Sequence, residues 1–530
     1  MAPSNSRAIV YSAIVALGGL IFGLDAVLIS GGVDLIREEF SLSDWGLGFV
    51  VSSPGLGVLF ALLATGWFCN ALGRKKTLLG IAFIYVLSAI WSAVAPSWWQ
   101  LAAARFLGGL AFTSLSLGPM YIGEIAPSRW RGKLVTLSQI NTVIGLSGAY
   151  FINLGIVAAS QSDAPWIRSI GLEPDNLWRH MLGSEIPPAL LWFGLLFLIP
   201  ESPRWLMFRG RDAEAEAALR RIAPESEFDE RLAEIKQGLD AESKNLPVLD
   251  QVYKLLKPGL RTAVIIGLTI AIAQQATGIN AIYFYAPTVF KQLGFDTNAA
   301  FVQAAVMGVI SAVFAVLALF VVDRLGRRPV VLLGFFWIIA SLGLCAYGFS
   351  QAKYRLTETG VATLPAGLDV TLLSPLLGKP FDSDMAFKSA LAEAIGETEA
   401  RRHENLLLES SVDLPAGLIV GGILSFIAAF QFSVGPVMWI LLSEIFPTSV
   451  RGVAIPIFHF VTGMTSYVVQ FLFPVALSTF GAAAVFGSFI AIPLLGLIVL
   501  HFCLPETKNL SIEEIQAAFA GKSAIRSVQA

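Results

Sequence analysis

Three side-chain amides stand in an otherwise apolar stretch, IAIAQQATGINAIYFYAP, which runs from Ile270 to Pro287. They belong to Gln274, Gln275 and Asn280. An amide offers both a hydrogen-bond donor and an acceptor, so these groups can bind a neutral polar ligand without burying a charge. In an apolar environment they cost free energy unless their hydrogen bonds are met. The pattern therefore indicates either a ligand site or hydrogen bonds that hold neighbouring helices together.

Two ionisable residues also lie in apolar stretches, Asp25 in FGLDAVLIS and Arg105 in AAARFLGGL. An isolated charge inside a bilayer costs several kcal/mol, so such residues are functional hypotheses by default. A carboxylate can exchange a proton, and a neighbouring guanidinium favours its ionised form. The two residues are therefore a candidate proton-exchange site. The alternative is a permanent salt bridge with no chemical role.

The composition identifies the environment in which these residues act. The chain has 530 residues, 55% of them hydrophobic and only 14% charged, and its mean hydropathy is +0.70. These values are typical of a membrane protein. The net charge of −2 gives no indication of a nucleic-acid partner. The three cysteines lie in apolar runs without metal or CxxC spacing, and no nucleophile or phosphate loop stands in an organised context, so we expect neither an enzyme nor a cofactor.

Twelve apolar runs are long enough to cross a hydrocarbon core of about 30 Å, which takes about 20 helical residues. They predict an all-α polytopic protein with twelve transmembrane helices. The first run is too long for a cleavable signal and lacks a small-residue cleavage site, so we expect it to remain as span 1. In chain order, the predicted spans are residues 8–32, 47–69, 77–95, 98–121, 133–159, 180–200, 261–291, 298–322, 329–350, 414–443, 452–479 and 482–504.

Lysine and arginine gather in four short loops that follow spans 2, 4, 6 and 8, all on one side of the membrane. Such clusters mark the cytoplasmic side, and an even number of spans places both termini there. The predicted outer loops contain no Asn-x-Ser/Thr acceptor, which favours a bacterial inner membrane. We expect a multi-pass protein of the cell membrane. The basic segments are Gly73–Lys76, Arg129–Lys133, Pro203–Arg211 and Asp323–Pro329.

The spans form two groups of six, separated by a polar segment. Residues 201–260 are rich in Ala, Glu and Arg at helical spacing, which predicts a linker of short amphipathic helices on the cytoplasmic side. We expect an amino-terminal half at residues 1–200, a carboxy-terminal half at 261–510 and a cytoplasmic tail at 511–530. Residues 351–413 form a long, mostly polar outer insertion for which the sequence suggests no chemistry.

Motifs repeat in the same order in the two groups of spans. GEIAPSRWRG ends span 4 and SEIFPTSVRG ends span 10, so Glu124 and Arg131 correspond to Glu444 and Arg451. NALGRKK after span 2 likewise corresponds to DRLGRRP after span 8, and PESPRW and PETK follow spans 6 and 12. Two equivalent six-helix halves are typical of transporters that rock one half against the other around a central site.

These ordered motifs carry a resemblance that covers essentially the whole chain. From FGLD in span 1 to PETK after span 12, with QQATGIN, DRLGRR and PESPRWL between them, the chain resembles the sugar porters of the major facilitator superfamily. That family holds facilitative glucose transporters and bacterial proton-coupled sugar symporters. The resemblance implies the major facilitator fold, with two pseudo-symmetric halves, and a transporter that moves a pentose or hexose by alternating access.

The resemblance places substrate contacts on particular residues. In sugar porters the QQxxGIN motif lines the central cavity, so Gln274, Gln275 and Asn280 are expected to hydrogen-bond sugar hydroxyls. On an ideal helix Gln275 and Asn280 lie about 140° apart, and Gly278 offers a break that lets both face one cavity. Further expected contacts are Gln139 in span 5 and, in span 10, Trp439 as an aromatic platform with Gly435 beneath it.

Other positions depart from the family's pattern. Ser311 in span 8 stands where sugar porters usually have a sugar-binding asparagine, and Thr462 and Gly463 in span 11 replace an amide followed by tryptophan. Phe284 replaces the first tyrosine of a pair in span 7. Ser311 and Thr462 stay in the set of expected contacts, but the lost amide and indole groups leave the identity of the sugar open.

The resemblance also bears on the energy source. Proton symporters of the family resemble this chain in having an aspartate at the position of Asp25, whereas facilitative glucose transporters commonly have asparagine. Asp25 and Arg105 lie at a similar depth, about 10 Å from the outer ends of their spans, so we expect a pair that couples sugar movement to a proton. The alternatives are an uncoupled sugar or polyol facilitator and a sensor that binds sugar without transporting it.

Charged residues at the cytoplasmic ends of the spans have a different expected role. They resemble the family's network that ties the two halves together on the inner face when the transporter opens outward. Such pairs must be breakable, which suits partly exposed ion pairs worth about 0–1 kcal/mol. The residues are Glu124, Arg131, Asp323, Arg327, Glu444 and Arg451.

The expected partners follow from these predictions. They are a small-molecule sugar, a proton as the coupling ion and the lipid bilayer, without nucleic acid. The protein is expected to act as a monomer.

Overall fold

The structure is a computed structural model that describes residues 3–127, 129–162, 171–243, 248–356, 370–381, 384–396 and 411–508, together with 165, 399–400, 407, 510 and 514–515. The predicted tail at 511–530 lies outside the described residues except for 514–515, and so does part of the predicted outer insertion. In the described part of the chain, ten helices are long and apolar enough to cross a membrane. The fold is all-α in its membrane part.

The amino-terminal half contains spans 1 to 6. Span 4 is made of two consecutive helices, and span 6 is interrupted before Ile186, so neither of its two pieces is long enough to be counted among the ten membrane-length helices. The helices are α1 (Pro3–Leu28), α2 (Val33–Glu39), α3 (Asp44–Leu72), α4 (Arg74–Ala93), α5 (Trp98–Ala111), α6 (Ser114–Ile125), α7 (Arg131–Ser160), α8 (Leu177–Gly183) and α9 (Ile186–Leu196).

A run of shorter helices connects this half to spans 7 to 12. The last long helix of the chain, Thr448–Cys503, contains both span 11 and span 12. The two spans meet at Gly481, where a φ of 76° breaks the helix. With spans 6 and 12 included, the twelve-span fold is complete. The connecting helices are α10 (Pro203–Phe208), α11 (Asp212–Ile222), α12 (Glu225–Ser243) and α13 (Val248–Leu255). The helices of the second half are α14 (Arg261–Gln275), α15 (Ile279–Phe284), α16 (Ala286–Lys291), α17 (Thr297–Leu325), α18 (Arg327–Ser350), α20 (Ala416–Phe432), α21 (Val434–Ile445) and α22 (Thr448–Cys503), and α19 (Asp384–Ile395) lies in the outer insertion.

The repeated motifs adopt the same local structure in the two halves. Gly73 ends α3 with φ at 95°, and Gly326 ends α17 with φ at 93°, a conformation that favours glycine. A side chain at Gly73 would meet the carboxylate of Glu201, and one at Gly326 would meet that of Glu506. Each carboxylate accepts hydrogen bonds from backbone N–H groups at the start of the following helix, which satisfies donors that a helix leaves unpaired.

The described residues of the predicted outer insertion form a small folded unit. Strands β1 (Lys353–Arg355), β2 (Pro380–Phe381) and β3 (Val412–Asp413) make an antiparallel sheet in the order β2-β1-β3. Tyr354 in the central strand stacks on Phe387 of α19 with ring centroids 5.9 Å apart. Buried apolar residues around this stack give the unit its own core, so its mostly polar sequence still folds against itself.

Candidate substrate cavity and charged cluster

A cavity of about 530 Å³ lies between the two halves and is lined by both of them. Its size is within the range of small-molecule sites. The cavity wall includes all but one of the residues that the sequence analysis singled out as substrate contacts: Gln139, Gln274, Gln275, Asn280, Gly435, Trp439 and Thr462. Span 7 supplies three of these, and Gln139 faces them from α7 in the other half.

The break in span 7 lies where the sequence predicts it. Helix α14 ends at Gln275, Gly278 adopts φ of 78°, and α15 begins at Ile279. A Cβ at Gly278 would collide with the ring of Phe489, so both the backbone angle and the space favour glycine. Because the chain turns at this point, Asn280 Nδ2 reaches Gln275 Oε1 at 2.9 Å. The two amides therefore share one side of the cavity.

The amides of span 7 belong to a longer chain of hydrogen bonds. Gln275 Nε2 donates to Gln274 Oε1 at 3.1 Å, and Asn280 Nδ2 donates to Ser466 Oγ in span 11 at 2.7 Å. Gln470 Nε2 also donates to Ser466 at 2.6 Å. Without a ligand the amides thus satisfy one another, and a polyhydroxylated ligand can replace these bonds with its own.

Ser466 and Gln470 were not identified from the sequence. The signal was present, because Thr462, Ser466 and Gln470 follow one another at intervals of four residues, the spacing of one helix face. All three line the cavity. The Thr462 hydroxyl donates to Phe458 O in its own helix, 2.8 Å away. Toward a ligand it can therefore only accept a hydrogen bond.

Ser311 does not line the cavity. It is fully buried behind the wall, and its hydroxyl lies 2.9 Å from the Tyr283 hydroxyl and 2.8 Å from Gln431 Nε2. Gln431 Nε2 also donates to Tyr283 at 3.0 Å, and Gln431 and Tyr283 both line the cavity. Gln431 of span 10 therefore supplies an amide next to Ser311, the position at which the sequence analysis had noted the loss of an asparagine amide. The signal was a single glutamine in the apolar stretch AAFQF.

Trp439 has an aromatic neighbour that the sequence analysis also missed. The His459 ring lies edge-on to the Trp439 ring, with centroids 4.8 Å apart and planes at 65°. Both side chains line the cavity, and Trp439 is about one-third exposed to it. An indole face can take the apolar C–H face of a sugar ring. The adjoining imidazole can pair with a hydroxyl, since it is both a donor and an acceptor when neutral.

The structure brings Asp25 and Arg105 together. Arg105 Nη1 contacts Asp25 Oδ1 as an ion pair, and Arg105 Nη2 donates to the backbone oxygen of Asp25 at 3.0 Å. Both side chains are only 2% exposed, and Arg105 also borders the cavity. Gly108 packs against the Asp25 carboxylate, where a larger residue would crowd it. This matches the similar depth expected from the sequence.

A third ionisable residue, Glu185, lies beside this pair in the interruption of span 6. Its side chain is 3% exposed, lies close to Asp25 and Arg105 and interacts electrostatically with both. Two carboxyl groups then face one guanidinium, so two ionised carboxylates would leave a net buried negative charge. Burying an unbalanced charge is costly, and one bound proton removes it. The sequence signal was an acidic residue inside an apolar run.

The two halves are joined on the side of the cavity that the sequence predicts to face outward, called the outer side below. Asp34 on α2 accepts from Lys291 Nζ at 2.9 Å and from Thr288 Oγ1 at 3.0 Å on α16. Burial by itself raises the pKa of Asp34, but the Lys291 ammonium and these hydrogen bonds outweigh burial and hold the pKa below its ordinary value of 3.8. Tyr150 donates to Tyr283 O across the same interface at 2.7 Å. The outer side is therefore closed.

We expect Asp34→Asn to shift the protein toward the outward-open state. The Asp34–Lys291 pair is partly buried, 22% and 17% exposed, so its loss corresponds to about 1 kcal/mol, or roughly fivefold in the ratio of closed to open molecules. Because the pKa is lowered with the outer side closed, this contribution is present at neutral pH and is lost only as pH falls through the lowered pKa. Distances between spin labels at Glu38→Cys and Thr297→Cys measure the shift.

Asp44→Asn is the matched control for this measurement. Asp44 pairs with Arg37 at 2.7 Å within one half, so its loss breaks an outer ion pair without separating the halves. Identical distance distributions for the parent and Asp34→Asn would show that the Asp34–Lys291 pair does not hold the outer side closed.

The charged residues at the predicted cytoplasmic ends form pairs within each half. Arg74 Nη2 contacts Glu124 at 3.0 Å, and Arg327 Nη2 contacts Glu444 at the same distance. Asp323 lies 3.2 Å from Arg327. Arg451 donates to the backbone oxygen of Phe446, and Arg131 is exposed. The sequence analysis did not identify Arg74, the partner of Glu124. The role of these residues in tying the halves together stays a prediction.

Comparison with known proteins gives the family. The family model "Sugar (and other) transporter" matches residues 11–363 and 406–519, leaving part of the outer insertion unmatched. The chain is 32% identical to the arabinose-proton symporter of Bacillus subtilis over 510 residues, covering 96% of this chain and 94% of that protein. It is also 32% identical to the D-xylose-proton symporter of Escherichia coli over 537 residues, covering 95% and 94%.

Solved structures give the same result. The fold is similar to the inward-open conformation of the xylose transporter XylE from Escherichia coli, with a TM-score of 0.71 and 27% identity over 96% of this chain and 99% of that one. The partially occluded inward-open conformation matches with a TM-score of 0.69 and 28% identity, over 96% and 100%. The fold is thus that of a major facilitator transporter. Within that class, this chain belongs to the sugar transporter family.

Proposed function

We propose that this protein is a secondary active transporter that moves a monosaccharide across the membrane together with a proton. The observation that carries the proposal is the position of an amide-lined cavity, shared by both halves, beside a buried cluster of two carboxyl groups and one guanidinium. Its relatives include symporters named for arabinose, xylose and galactose. The expected substrate is therefore a pentose or a hexose.

Sugar binding replaces hydrogen bonds that the empty cavity makes with itself. The hydroxyls of the sugar pair with Gln275 and Asn280 of span 7, and Gln139 closes the site from the opposite half. The ring packs on Trp439. Since both halves contact the sugar, binding favours their approach, and the halves can then separate on the other side. This is alternating access around a fixed central site.

Proton coupling arises from the charge balance around Asp25. One proton shared by Asp25 and Glu185 leaves a neutral cluster with Arg105, and its release leaves a buried charge that needs water. The proton can therefore favour one arrangement of the halves over the other, provided that its affinity differs between them. Because Arg105 also borders the cavity, its partner's protonation changes one wall of the sugar site.

The remaining assignments complete this proposal. We place the halves at residues 1–200 and 261–510, joined by the cytoplasmic linker at 201–260, with an outer insertion at 351–413 and a tail at 511–530. The protein is a multi-pass protein of the inner membrane, and we propose that it acts as a monomer with both termini in the cytoplasm. The cytoplasmic ion pairs, which now lie within each half, exchange partners when the inner side closes.

Uptake of radiolabelled sugars into cells tests the proposed function. A panel of pentoses, hexoses and polyols is measured with and without a protonophore. The proposal expects accumulation of one or a few monosaccharides that the protonophore abolishes. Uptake that only equilibrates, with or without protonophore, would identify a facilitator, and binding without uptake would identify a sensor.

We expect Ser311→Asn to change the sugar preference, and to act through Gln431. Ser311 reaches the cavity wall through its hydrogen bonds to Gln431 and Tyr283, and a larger amide at position 311 displaces the Gln431 amide. Competition by the panel sugars against the best labelled sugar measures the preference. In a Gln431→Ala background, Ser311→Asn should change the preference less than it does in the parent, because residues in contact are not additive. Equal profiles for parent, Ser311→Asn and Gln431→Ala would refute a role of this pair in selectivity.

A further inference from the structure

Helix α13 carries the most exposed apolar residues of the cytoplasmic linker. Leu249 is 77% exposed and Tyr253 is 73% exposed, and Leu256, just after the helix, is 72% exposed. They follow one another at intervals of four and three residues, so they lie on one helix face. Apolar residues scattered singly on a surface are ordinary, but a contiguous apolar stripe marks an interaction surface.

The opposite face fixes α13 to the protein. Leu255 is 5% exposed and packs in the main hydrophobic core with Leu260, just before span 7. Lys254 Nζ donates to Ser449 Oγ at the start of α22, 3.0 Å away. The helix is therefore held with its apolar stripe outward, and the stripe cannot be buried by rotation of the helix without breaking these contacts.

The stripe leads directly into the membrane surface of span 7. Arg261 begins α14, and on that helix Ile265, Leu268 and Ile272 are exposed at the same helical spacing. Those three side chains lie in a membrane span, where lipid covers them. The apolar stripe of α13 ends only a few residues before this surface along the chain. One bilayer can therefore cover both the stripe of α13 and the exposed face of span 7.

The charges around the stripe suit a cytoplasmic lipid surface. Lys257 lies between the stripe and span 7, Arg261 is the first residue of span 7, and both are exposed basic residues. The one described acid on this helix is Asp250. An amphipathic helix with aromatic and aliphatic residues on one face and lysine or arginine at its border is typical of a helix that lies in the membrane interface.

We propose that α13 is an interfacial helix, which inserts Leu249, Tyr253 and Leu256 into the cytoplasmic leaflet and binds anionic lipid headgroups through Lys257 and Arg261. The partner is a bilayer that contains an acidic phospholipid. Because α13 is tied to spans 7 and 11, which line the cavity, this binding holds the inner ends of both spans at the membrane surface. The inference concerns the lipid partner and is independent of which sugar is transported.

Spin labels measure the depth of the stripe. Leu249→Cys and Leu256→Cys are labelled in a chain whose native cysteines are replaced, reconstituted in vesicles of phosphatidylethanolamine and phosphatidylglycerol. We expect collisions with oxygen, which partitions into lipid, to exceed those with a water-soluble nickel chelate. A label at Glu230→Cys, exposed on α12, is the control and should show the reverse. Nickel access at the stripe equal to that at Glu230→Cys, or exclusion of both reagents by covering protein, would overturn the proposal.

A charge variant tests the lipid class. The measured quantity is the ratio of the transport rate in vesicles with phosphatidylglycerol to the rate in vesicles without it. We expect Lys257→Gln to lower this ratio by about fivefold, because one cation near an anionic surface contributes about 1 kcal/mol. Lys236→Gln removes an exposed cation from α12 and should leave that dependence unchanged. Equal dependence on phosphatidylglycerol in parent, Lys257→Gln and Lys236→Gln would refute headgroup binding by α13.

Discussion

Asp25→Asn should abolish uphill accumulation of sugar while preserving sugar exchange. Asparagine keeps the shape of the side chain and can still accept from Arg105, but it cannot bind or release a proton. In proteoliposomes with an inward gradient of one pH unit, a transporter that moves one proton with each sugar concentrates the sugar about tenfold. We expect the Asp25→Asn variant to reach only the external concentration, with counterflow near that of the parent.

Two controls make this result specific. Glu38→Gln removes an exposed outer carboxylate and should accumulate sugar like the parent. Glu185→Gln removes the other buried carboxyl of the cluster, and a loss of accumulation there as well would show that the proton belongs to the pair of carboxyls. If Asp25→Asn still concentrates sugar as the parent does, Asp25 is not the coupling site. If the parent never concentrates sugar, the protein is a facilitator.

The residues that could be predicted from the sequence are those whose own span reveals them. The amides of span 7 stand out because polar groups are rare in an apolar run, and Gly278 marks the break because a left-handed turn favours glycine. Asp25 and Arg105 could be paired because depth follows from the rise per residue once the spans are oriented. Each of these predictions needs only the sequence of one helix or the depth of one residue in the membrane.

Lateral packing could not be predicted in the same way. Gln431 meets Ser311 from a span 120 residues away in the chain, and no periodicity within either span encodes that neighbour. For this reason Ser311 was expected on the cavity wall, whereas it lies behind Gln431. Glu185 was missed for a related reason, because its meaning depends on Asp25 and Arg105 beside it. A single acid in an apolar run does not reveal which charges it faces.

The cytoplasmic pairs show a different limit of the sequence. Motif order locates Glu124, Glu444 and Arg327 at equivalent ends of the halves, and the structure pairs Arg327 with Glu444 within one half. In the proposed transport cycle, the partner that each residue takes depends on whether the inner side is open, so one sequence has to serve both arrangements. The outer insertion shows a simpler limit, since its core forms around Tyr354 and Phe387, two rings far apart in a polar segment.

The largest loss of sugar binding is expected from changes to Gln275 and Asn280. Each amide lines the cavity, and each is held in place by the other through the 2.9 Å bond between Asn280 Nδ2 and Gln275 Oε1. Replacing either by alanine leaves a sugar hydroxyl without a partner and also frees the remaining amide. We therefore expect each variant to weaken binding by about 1–3 kcal/mol, roughly five- to more than a hundredfold in Kd.

Titration calorimetry of the purified protein with the best sugar from the uptake panel measures these affinities. Because the two amides act through one another, Gln275→Ala combined with Asn280→Ala should lose less than the sum of the single losses. Gln237→Ala removes an exposed amide from α12 and should bind sugar like the parent. Parent-like affinity in both single variants, at normal expression and with an unchanged melting temperature, would show that span 7 does not hold the substrate. An additive double variant would show that the two amides contact the sugar independently, each keeping its position without the other.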